Sequence, residues 1–530
     1  MSDSLFSFLK ILLIWSAIRY AIDKISFCYA INHTVYPEWP GLTAQELNGI
    51  RSQRDLMNNV TIDQLPLVGV NLQQVLFNSR SEAIGNQTNT VSSLNGTYLL
   101  DSFTSLLESG VQGFVLDIEL QNGIWVIVDT PLSFETFLTT LHSHILETDN
   151  TLFASLLVMF LRISSISNET NSSSIHSTTP TQNLADILTQ QVGSSYIYTQ
   201  DDLLSHNSLG VSGLNSTTPE WPTLKEFLYG SHKRLFIAEL STNYLSTSSY
   251  VFPNSLLHYD IDNATLSCPQ NMGEFKNVQN ISWKFLESSF TDTDISEYIS
   301  CGLSPIISNS FDVTNLTEIL SLLDNSVVWS WANGEPRYVN SESDMGKDPT
   351  QAYNCASLTF NSYNSSMDWK VINCYNSKGG LCQKNDDEYT WLVSNGDKDS
   401  YIDFYKKADI NCPEGYHFSL PVTPLQKRSL NLHLSNSSDN DDLEVWININ
   451  SLAVSNCWVT GGASTQCPYQ TNISKRSFVG MMAPLAACAF VLLVIVVYLS
   501  LVSVPIHDNR KNWRRVINKV SKSEFEGVPT

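Results

Sequence analysis

The sequence has little positive charge, and this scarcity limits what it can bind. It contains 30 Lys and Arg against 52 Asp and Glu, a formal net charge of -22. Nucleic-acid phosphates are bound by clustered Lys and Arg side chains, so direct contact with nucleic acid is not expected. Charged residues make up only 15% of the chain and hydrophobic residues 42%. That balance excludes an intrinsically disordered protein and predicts folded domains with sizeable cores.

No pair of cysteines has the CxxC spacing of a structural zinc site, so the sequence predicts neither a bound metal nor another cofactor. Cys28 lies near the N-terminus and Cys488 in a long apolar run near the C-terminus. The other cysteines form an even set, which favours disulfide bonds in an oxidising compartment. They are Cys268, Cys301, Cys355, Cys374, Cys382, Cys412, Cys457 and Cys467. Nearness in sequence suggests the pairs Cys268–Cys301, Cys355–Cys374, Cys382–Cys412 and Cys457–Cys467, although other pairings are open.

Two apolar segments lie near the ends of the chain. The first has its apolar centre at Ile11–Ile18, directly after Lys10, and is too short to span a bilayer. It predicts a signal peptide over residues 1–30, cleaved after Ala30, with an uncleaved anchor as the alternative. The second runs over residues 478–504 without a charged residue. As a helix it would be roughly 40 Å long, which predicts a transmembrane helix.

Basic residues dominate the C-terminal segment, residues 505–530. They are Arg510, Lys511, Arg514, Arg515, Lys519 and Lys522. Positive charge favours the cytosolic side, so we expect a short cytoplasmic tail and a large lumenal or extracellular N-terminal part, a single-pass type I topology. All thirteen Asn-x-Ser/Thr glycosylation acceptors precede the membrane segment, in agreement with that topology. They are Asn32, Asn59, Asn86, Asn95, Asn168, Asn171, Asn215, Asn263, Asn280, Asn315, Asn364, Asn436 and Asn472.

The tail also has a helical pattern. Trp513, Val516, Ile517 and Val520 have the i, i+3, i+4, i+7 spacing of one helix face, with basic residues beside them. This pattern predicts an amphipathic helix lying on the anionic inner leaflet. The alternative is a tail that only stops translocation.

Residues 31–325 alternate short apolar runs with amphipathic stretches, which predicts an α/β barrel. Strands are expected at residues 67–72, 114–120, 125–128, 154–162, 234–240 and 304–307. Helices are expected at residues 101–109, 133–148, 223–229 and 315–323. Residues 164–183 are rich in Ser, Thr and Asn and predict a surface loop.

Residues 326–475 lack that alternation and contain six of the cysteines. They are rich in Trp, Tyr, Asn and Gly, with short strand-like runs such as Val445–Ile449. This composition predicts a disulfide-rich, mostly β domain.

Three sequence runs resemble a fungal family. They are TIDQLPLVGVNL (61–72), EYISCGLSPIISNS (297–310) and DNRKNWRRVINK (508–519). On these runs the chain resembles the maintenance of telomere capping protein 6 family, over nearly its whole length. The resemblance implies a type I membrane glycoprotein with an indirect contribution to telomere capping; no residue explains that contribution physically.

The barrel region has a more distant likeness. SGVQGFVLDIELQNGIWVIVDTPL (109–132) is similar to glycerophosphodiester phosphodiesterases, and WPTLKEFLYGSHKRLFIAEL (221–240) looks like a segment of phospholipase C barrels. This resemblance implies a phosphodiesterase-like TIM barrel. In those enzymes two histidines act as general base and acid, and carboxylates usually hold a divalent cation.

The residues that would perform this chemistry are mostly replaced. Asn71 and Val128 stand where the resemblance places histidines, and Val115 stands where it places a metal-binding Glu. Asp117 and Glu239 are the remaining candidate carboxylates. Carboxylates titrate near pH 4 and do not replace two imidazoles, so we expect a pseudoenzyme without catalytic, cofactor-binding or metal-binding residues. Asp117 is then expected to be a strand-end carboxylate that caps a loop.

The cysteine-rich region resembles a C-type lectin-like domain with its halves in unusual order. WSWANGEP (329–336), MDWKVINC (367–374) and GLCQ (380–383) look like the closing half, and CPEGYHF (412–418) and EVWINI (444–449) like the opening half. The calcium-binding triplets of that family are absent, so calcium-dependent sugar binding is not expected.

These observations favour a non-enzymatic membrane glycoprotein of the secretory system. Its expected role is the recognition or scaffolding of a protein, a glycan or a lipid headgroup. One alternative is an active phosphodiesterase on a lipid or lipid-anchor headgroup, and a second is a structural envelope glycoprotein. A pair of imidazoles near Asp117 would favour the enzyme.

Overall fold

The computed structural model describes residues 39–77, 96–163, 183–209, 220–240, 250–253, 256–262, 268–275, 283–311, 316–337, 352–394, 398–436, 442–469, 475–503 and 506–525. The chain forms two compact units, the first ending at Cys467 and the second beginning at Pro468. The predicted signal peptide, residues 1–30, lies outside the described residues. So do most of the predicted loop at residues 164–183 and ten of the glycosylation acceptors.

A nine-stranded sheet dominates the first unit. Its strands are β1 Gly69–Asn71, β2 Gly113–Gln121, β3 Ile124–Ile127, β4 Leu157–Ile163, β5 Leu235–Glu239, β6 Phe252–Pro253, β7 His258–Ile261, β8 Lys284–Ser288 and β9 Ser304–Ile307. The spatial order is β6-β5-β4-β2-β1-β9-β8-β7, with every neighbouring pair parallel; β3 alone is antiparallel, on β2. The parallel strands thus follow one another in chain order, as in a TIM barrel, and no pairing joins β6 to β7 in the described part of the chain. The predicted barrel is therefore a partial barrel.

The sheet forms because its strands are apolar on both faces. Phe114 and Leu116 of β2 pack outward under the helices, in a core shared with Phe103 and Phe137. Val115, between them, faces the interior of the partial barrel in a second core. Period-two alternation with both faces buried is typical of parallel strands.

Helices follow several of the strands. They are α1 Ala44–Leu56, α2 Gly96–Glu108, α3 Phe134–Glu147, α4 Leu184–Gln191, α5 Gln200–Leu209, α6 Asp292–Ser300 and α7 Thr317–Val327. Several begin at side-chain caps: Thr43 forms a capping box with Glu46, and Ser133 and Thr291 cap α3 and α6. The predicted helix at residues 223–229 is instead a wide π-helical turn, Glu226–Gly230.

We call the portion of the first unit that follows α7 the disulfide-bonded part. It has two antiparallel three-stranded sheets, ordered β11-β10-β15 and β13-β12-β14. The strands are β10 Cys355–Asn361, β11 Ser366–Ile372, β12 Leu381–Lys384, β13 Asp387–Val393, β14 Tyr416–Phe418 and β15 Leu443–Asn450. The helices are α8 Tyr401–Lys406, α9 Ala408–Asn411 and α10 Pro424–Asn436. This part, predicted to be mostly β, contains six strands together with three helices. Its likeness to a C-type lectin remains a prediction.

Four disulfide bonds are present, and they join the pairs that nearness in sequence suggested. They are Cys268–Cys301, Cys355–Cys374, Cys382–Cys412 and Cys457–Cys467. The first lies in the partial barrel and the other three in the disulfide-bonded part. Side-chain hydrogen bonds connect these two parts: Arg428 Nε of α10 donates to the Pro269 carbonyl over 2.9 Å, and Trp331 Nε1 donates to Ser52 Oγ over 2.8 Å.

The second unit consists of two helices, α11 Lys475–Ser503 and α12 Ile506–Phe525. Within α11, the stretch Met482–Leu501 is long and apolar enough to cross a membrane, and none of it is buried against protein. This stretch lies inside the predicted transmembrane segment, residues 478–504.

Candidate functional site

The candidate site lies where the parallel strands end, at the mouth of the partial barrel. We define the barrel mouth as Asn71, Asp117, Arg162, Tyr259, Glu287 and Ser308. Strand periodicity explains why the charged members face inward, because residues two positions apart share a face. Val115, Phe160 and Phe285 lie in the interior core, so Asp117, Arg162 and Glu287, each two residues later, face the same interior one level higher.

An aromatic layer forms the floor of the mouth. The Phe160 ring packs against Phe285, with centroids 4.8 Å apart, and against Tyr259, with centroids 5.0 Å apart. These contacts hold the strands that carry Arg162 and Glu287 at a fixed separation. The polar groups above them are therefore positioned by the core, not by loops.

Arg162 lies between the two carboxylates. Its Nη2 is 2.6 Å from Glu287 Oε2, and its Nη1 is 3.3 Å from Asp117 Oδ1. The side chains of Asp117 and Glu287 are 19% and 6% exposed, so both charges are largely removed from water. Burying a carboxylate is unfavourable unless it is paired, and the guanidinium supplies the pairing.

Glu287 is the centre of the hydrogen-bond network. Its Oε2 accepts a 2.6 Å bond from the Tyr259 hydroxyl, in addition to the contact with Arg162. Its Oε1 accepts a 2.5 Å bond from Asn71 Nδ2 and a 3.2 Å bond from Ser308 Oγ. A carboxylate has about four lone-pair sites, so this one is fully satisfied by the protein.

The protonation states follow from burial and from these contacts. Burial raises the pKa of Asp117, and Arg162 only partly offsets it. Burial lowers the pKa of Arg162, but the charges of Glu287 and Asp117 outweigh burial and the net shift is upward. Burial and the adjacent Glu287 carboxylate raise the pKa of Tyr259 far above its usual range. Arg162 thus stays charged and Tyr259 neutral, and both act as fixed donors.

The structure places the site residues predicted from the sequence in different environments. Asp117 reaches the mouth, but it pairs with Arg162 rather than capping a loop. Asn71 Oδ1 accepts from the Gln73 backbone N–H over 3.0 Å, so this residue shapes the first turn and also supports Glu287. Val115 is core, and the Val128 carbonyl accepts from Gln73 Nε2 over 3.1 Å. Glu239 ends β5 and is buried, 3% exposed.

The sequence interpretation missed Arg162, Tyr259 and Glu287 as site residues. Arg162 stands at the end of a predicted strand, and a charged residue in that place is a usable signal. Glu287 follows the apolar residues Phe285 and Leu286, but this short run was not recognised as a strand.

The described histidines lie elsewhere. His142 and His144 are on α3, and His258 is the exposed first residue of β7, on the opposite face of the strand from Tyr259. His176 belongs to residues 164–182, outside the described part of the chain. Within the described residues no group of three or more His, Cys, Asp or Glu is arranged to hold a metal ion.

Known proteins resemble this chain over nearly its whole length. A family model described as "MTC6 partial TIM-barrel domain" matches residues 40–329. "Maintenance of telomere capping protein 6" of Saccharomyces cerevisiae is 43% identical over 530 residues, covering 98% of each chain. The protein of the same name from Zygosaccharomyces rouxii is 41% identical and covers 93% of each chain.

One solved structure of low similarity is a calcium-dependent phosphoinositol-specific phospholipase C from a Pseudomonas species. It is 13% identical, covers 47% of this chain and 82% of its own, and has a TM-score of 0.26. That score is too low to support a statement about this chain, so the assignment rests on the family model and the full-length relatives. On that basis the chain belongs to the maintenance of telomere capping protein 6 family.

Proposed function

We propose that this protein is a membrane-anchored glycoprotein of the secretory system whose barrel mouth binds a ligand without transforming it. The observation that carries the proposal is the position of Arg162 between Asp117 and Glu287. A guanidinium held by two carboxylates stays protonated and cannot shuttle a proton. The charged centre of the mouth is thus suited to fixed hydrogen bonding.

Acid–base catalysis would need groups that exchange protons near neutral pH. Asn71 and Val128, at the positions where the resemblance to phosphodiesterase barrels places histidines, cannot do so. Glu287 already accepts four hydrogen bonds from the protein and has no free site for a substrate proton. These features support a pseudoenzyme over an active phosphodiesterase.

Charge favours a particular class of ligand. Asp117, Asp129 and Glu287 lie close enough at the mouth to influence one another, against the single cation Arg162 among the described mouth residues. A phosphate would meet this negative surplus without a free guanidinium to bind it. An uncharged polyol or a cationic headgroup is therefore the better fit.

The membrane orientation is part of the proposal. The described acceptors Asn59, Asn364 and Asn436 are all exposed, so an oligosaccharide could be attached to each without disturbing the core. The four disulfides favour an oxidising lumen for the first unit. A protein so placed is separated from DNA by a membrane, and any contribution to telomere capping would be indirect.

Hydrolysis assays on the full-length protein in lipid nanodiscs test the proposal. We expect no turnover of glycerophosphodiesters or of phosphatidylinositol above background, with calcium, with magnesium or with a chelator. Turnover that disappears in Asp117→Asn but persists in Asp409→Asn, an exposed acid on α9, would overturn it. If His176→Ala also abolished that turnover, the missing base would be identified.

A binding assay tests the ligand class separately. Inositol and choline should bind at least as tightly as inositol phosphate, and Asp117→Asn should weaken the binding of choline. A clear preference for the phosphorylated compound would contradict the proposed class of ligand, whatever the hydrolysis assay shows.

A further inference from the structure

A second cleft lies away from the barrel mouth, where the partial barrel meets the disulfide-bonded part. Its volume is about 740 Å³, and it is lined by α1, α6, the end of α7, residues 328–335 and α10. Ile299 and Ser300, at the end of α6, form part of its wall. Only residues 301–303 separate them from the start of β9, so the cleft lies at the amino ends of the strands, opposite the mouth. Ligand sites commonly have volumes of about 300–1,000 Å³.

Trp329 supplies an aromatic wall. One side of its ring meets Trp369 in an edge-to-face contact with centroids 5.9 Å apart, and its backbone carbonyl accepts a 2.8 Å bond from Lys427 Nζ. The indole is therefore held in place by protein contacts while it lines the cleft. Its Nε1 atom is buried and has no hydrogen-bond partner among the described residues. Because this atom is buried, the indole presents to the cleft an apolar ring rather than a donor.

Carboxylate and amide side chains line the same cleft as this ring. Asp324, Asn325 and Asn333 line the cleft and are exposed at its edge. Asn325 Nδ2 donates to the Ser321 carbonyl over 2.9 Å, which fixes the orientation of the amide. Partial burial of its carboxylate, and then the neighbouring Glu46 carboxylate, raise the pKa of Asp324. The edge of the cleft thus combines strong hydrogen-bond acceptors with amides that both donate and accept.

The cations of the cleft are already engaged. Lys427 Nζ lies 3.5 Å from Asp368 Oδ1, and Arg428 donates to the Pro269 carbonyl and to Ser300 Oγ. The carboxylates Glu46, Asp324 and Glu335 line the same cleft. A phosphate or sulfate would therefore meet more carboxylates than cations among the described lining residues, and both cations already have protein partners.

We propose that this cleft binds a neutral oligosaccharide. A sugar ring has an apolar face that packs on an aromatic side chain and hydroxyl groups that pair with carboxylates and amides, and the cleft presents both kinds of partner around Trp329. The site is independent of the barrel mouth and involves no chemical step. It would let the protein hold a glycan while the mouth is empty or occupied.

Saturation-transfer NMR and titration calorimetry on the full-length protein in nanodiscs test this site. The attached N-glycans are first trimmed with an endoglycosidase, so that they do not compete. The probes are mannotriose, laminaritriose and chitotriose, with a sulfated trisaccharide as the anionic comparison. We expect at least one neutral trisaccharide to bind and the sulfated one to bind more weakly.

The exposed side chains Asp324 and Asn333 allow variants that leave the core intact. Asp324→Asn and Asn333→Ala should each weaken binding by about tenfold, because hydrogen bonds to a ligand would be lost. Asp409→Asn, an exposed acid outside the cleft, should bind like the unaltered protein. Absence of binding by all three neutral probes would overturn the proposal. Loss of binding in Asp117→Asn with full binding in Asp324→Asn would also overturn it, since the sugar would then enter the barrel mouth.

Discussion

Arg162 Nη2 lies 2.6 Å from Glu287 Oε2, and this ion pair joins two strands that are not neighbours in the sheet. Arg162 belongs to β4 and Glu287 to β8, with β2, β1 and β9 between them. The pair therefore crosses the interior of the partial barrel. Since β6 and β7 are not paired among the described residues, contacts across the interior help to hold the two sides together.

Replacement of Arg162 tests this role. Arg162→Gln should lower the free energy of unfolding by about 2–4 kcal/mol, because Glu287 and Asp117 would remain buried without a counter-charge. The deficit should shrink as the pH falls and these carboxylates become protonated. Denaturant unfolding at pH 7 and pH 5 measures both effects.

The matched control is Lys407→Gln. Lys407 pairs with Asp399 over 3.0 Å, but its side chain is 53% exposed. Pairs of that kind contribute about 0–1 kcal/mol. Equal losses for the two variants would mean that the interior pair has no special role.

The strands that the sequence predicted correctly are those with long apolar runs. β4 and β5 are buried on both faces and lie within the predicted ranges to within a residue or so, and the bounds of β9, Ser304–Ile307, agree fully. β7 was missed because its residues, His258–Ile261, are mostly polar and largely exposed, and β6 because it is only two residues long. β8 was missed because its apolar run is equally short.

The mouth was harder to predict than the strands. Asp117 and Glu287 are brought to one guanidinium by the order of the strands, and no local spacing reveals that order. Asn71 was interpreted as the replacement of a catalytic histidine. In the structure its Oδ1 accepts a hydrogen bond in the first turn, and its Nδ2 donates one to Glu287. Such a role depends on the opposite side of the barrel. Sequence patterns specify which side chains face inward, and only the fold specifies which of them meet.

His144 should make the protein sensitive to acid. Burial, and then the nearby Arg234 cation, lower its pKa to about 4 from the ordinary value of 6.5. Between these values the unfolded chain binds more protons than the folded protein, so stability falls as the pH falls from 6.5 to 4. The loss attributable to this residue is about 3 kcal/mol.

His144→Phe keeps a ring in the same buried place and removes the titrating group. Its free energy of unfolding should depend less on pH between 6.5 and 4 than that of the unaltered protein. Chemical unfolding at several pH values in this window makes the comparison. An unchanged slope would show that other groups cause the acid sensitivity.

The disulfide Cys382–Cys412 should be needed for stability. It joins β12 to the segment after α9, and both cysteines are buried. The double variant Cys382→Ser, Cys412→Ser should lose about 2–5 kcal/mol and be retained in the folding compartment. Cys488→Ser is the control, because Cys488 is an exposed free cysteine. Non-reducing peptide maps with free thiols at the paired positions would contradict this expectation.

The topology can be tested with one removed and one added glycosylation acceptor. Asn364 is exposed in the turn between β10 and β11, so Asn364→Gln should lower the apparent mass by one glycan. Val520→Thr creates an acceptor at Asn518 in the tail, which should stay unmodified in the cytosol. An endoglycosidase-sensitive increase in mass for the second variant would reverse the orientation.

The tail should bind anionic membranes through one face of α12. Residues 506–525 form a helix, as the apolar spacing predicted, and Trp513, Val516, Ile517 and Val520 are all exposed on it. Basic residues on the same helix add attraction to acidic lipids of about 1 kcal/mol per charge near the surface. The peptide 506–525 should therefore bind vesicles that contain phosphatidylserine, and binding should weaken as salt is raised.

Two variants separate the contributions to this binding. Trp513→Ala removes an apolar anchor and should weaken binding at all salt concentrations, because burial of the indole does not depend on screening. Lys519→Gln removes one charge and should weaken binding mainly at low salt, where electrostatic attraction is least screened. Tryptophan fluorescence of Trp513 follows insertion of the charge variant, and vesicle sedimentation compares both. Equal binding to neutral and anionic vesicles would contradict the contribution of charge. Absence of binding to either kind of vesicle would leave α12 with only the role of stopping translocation.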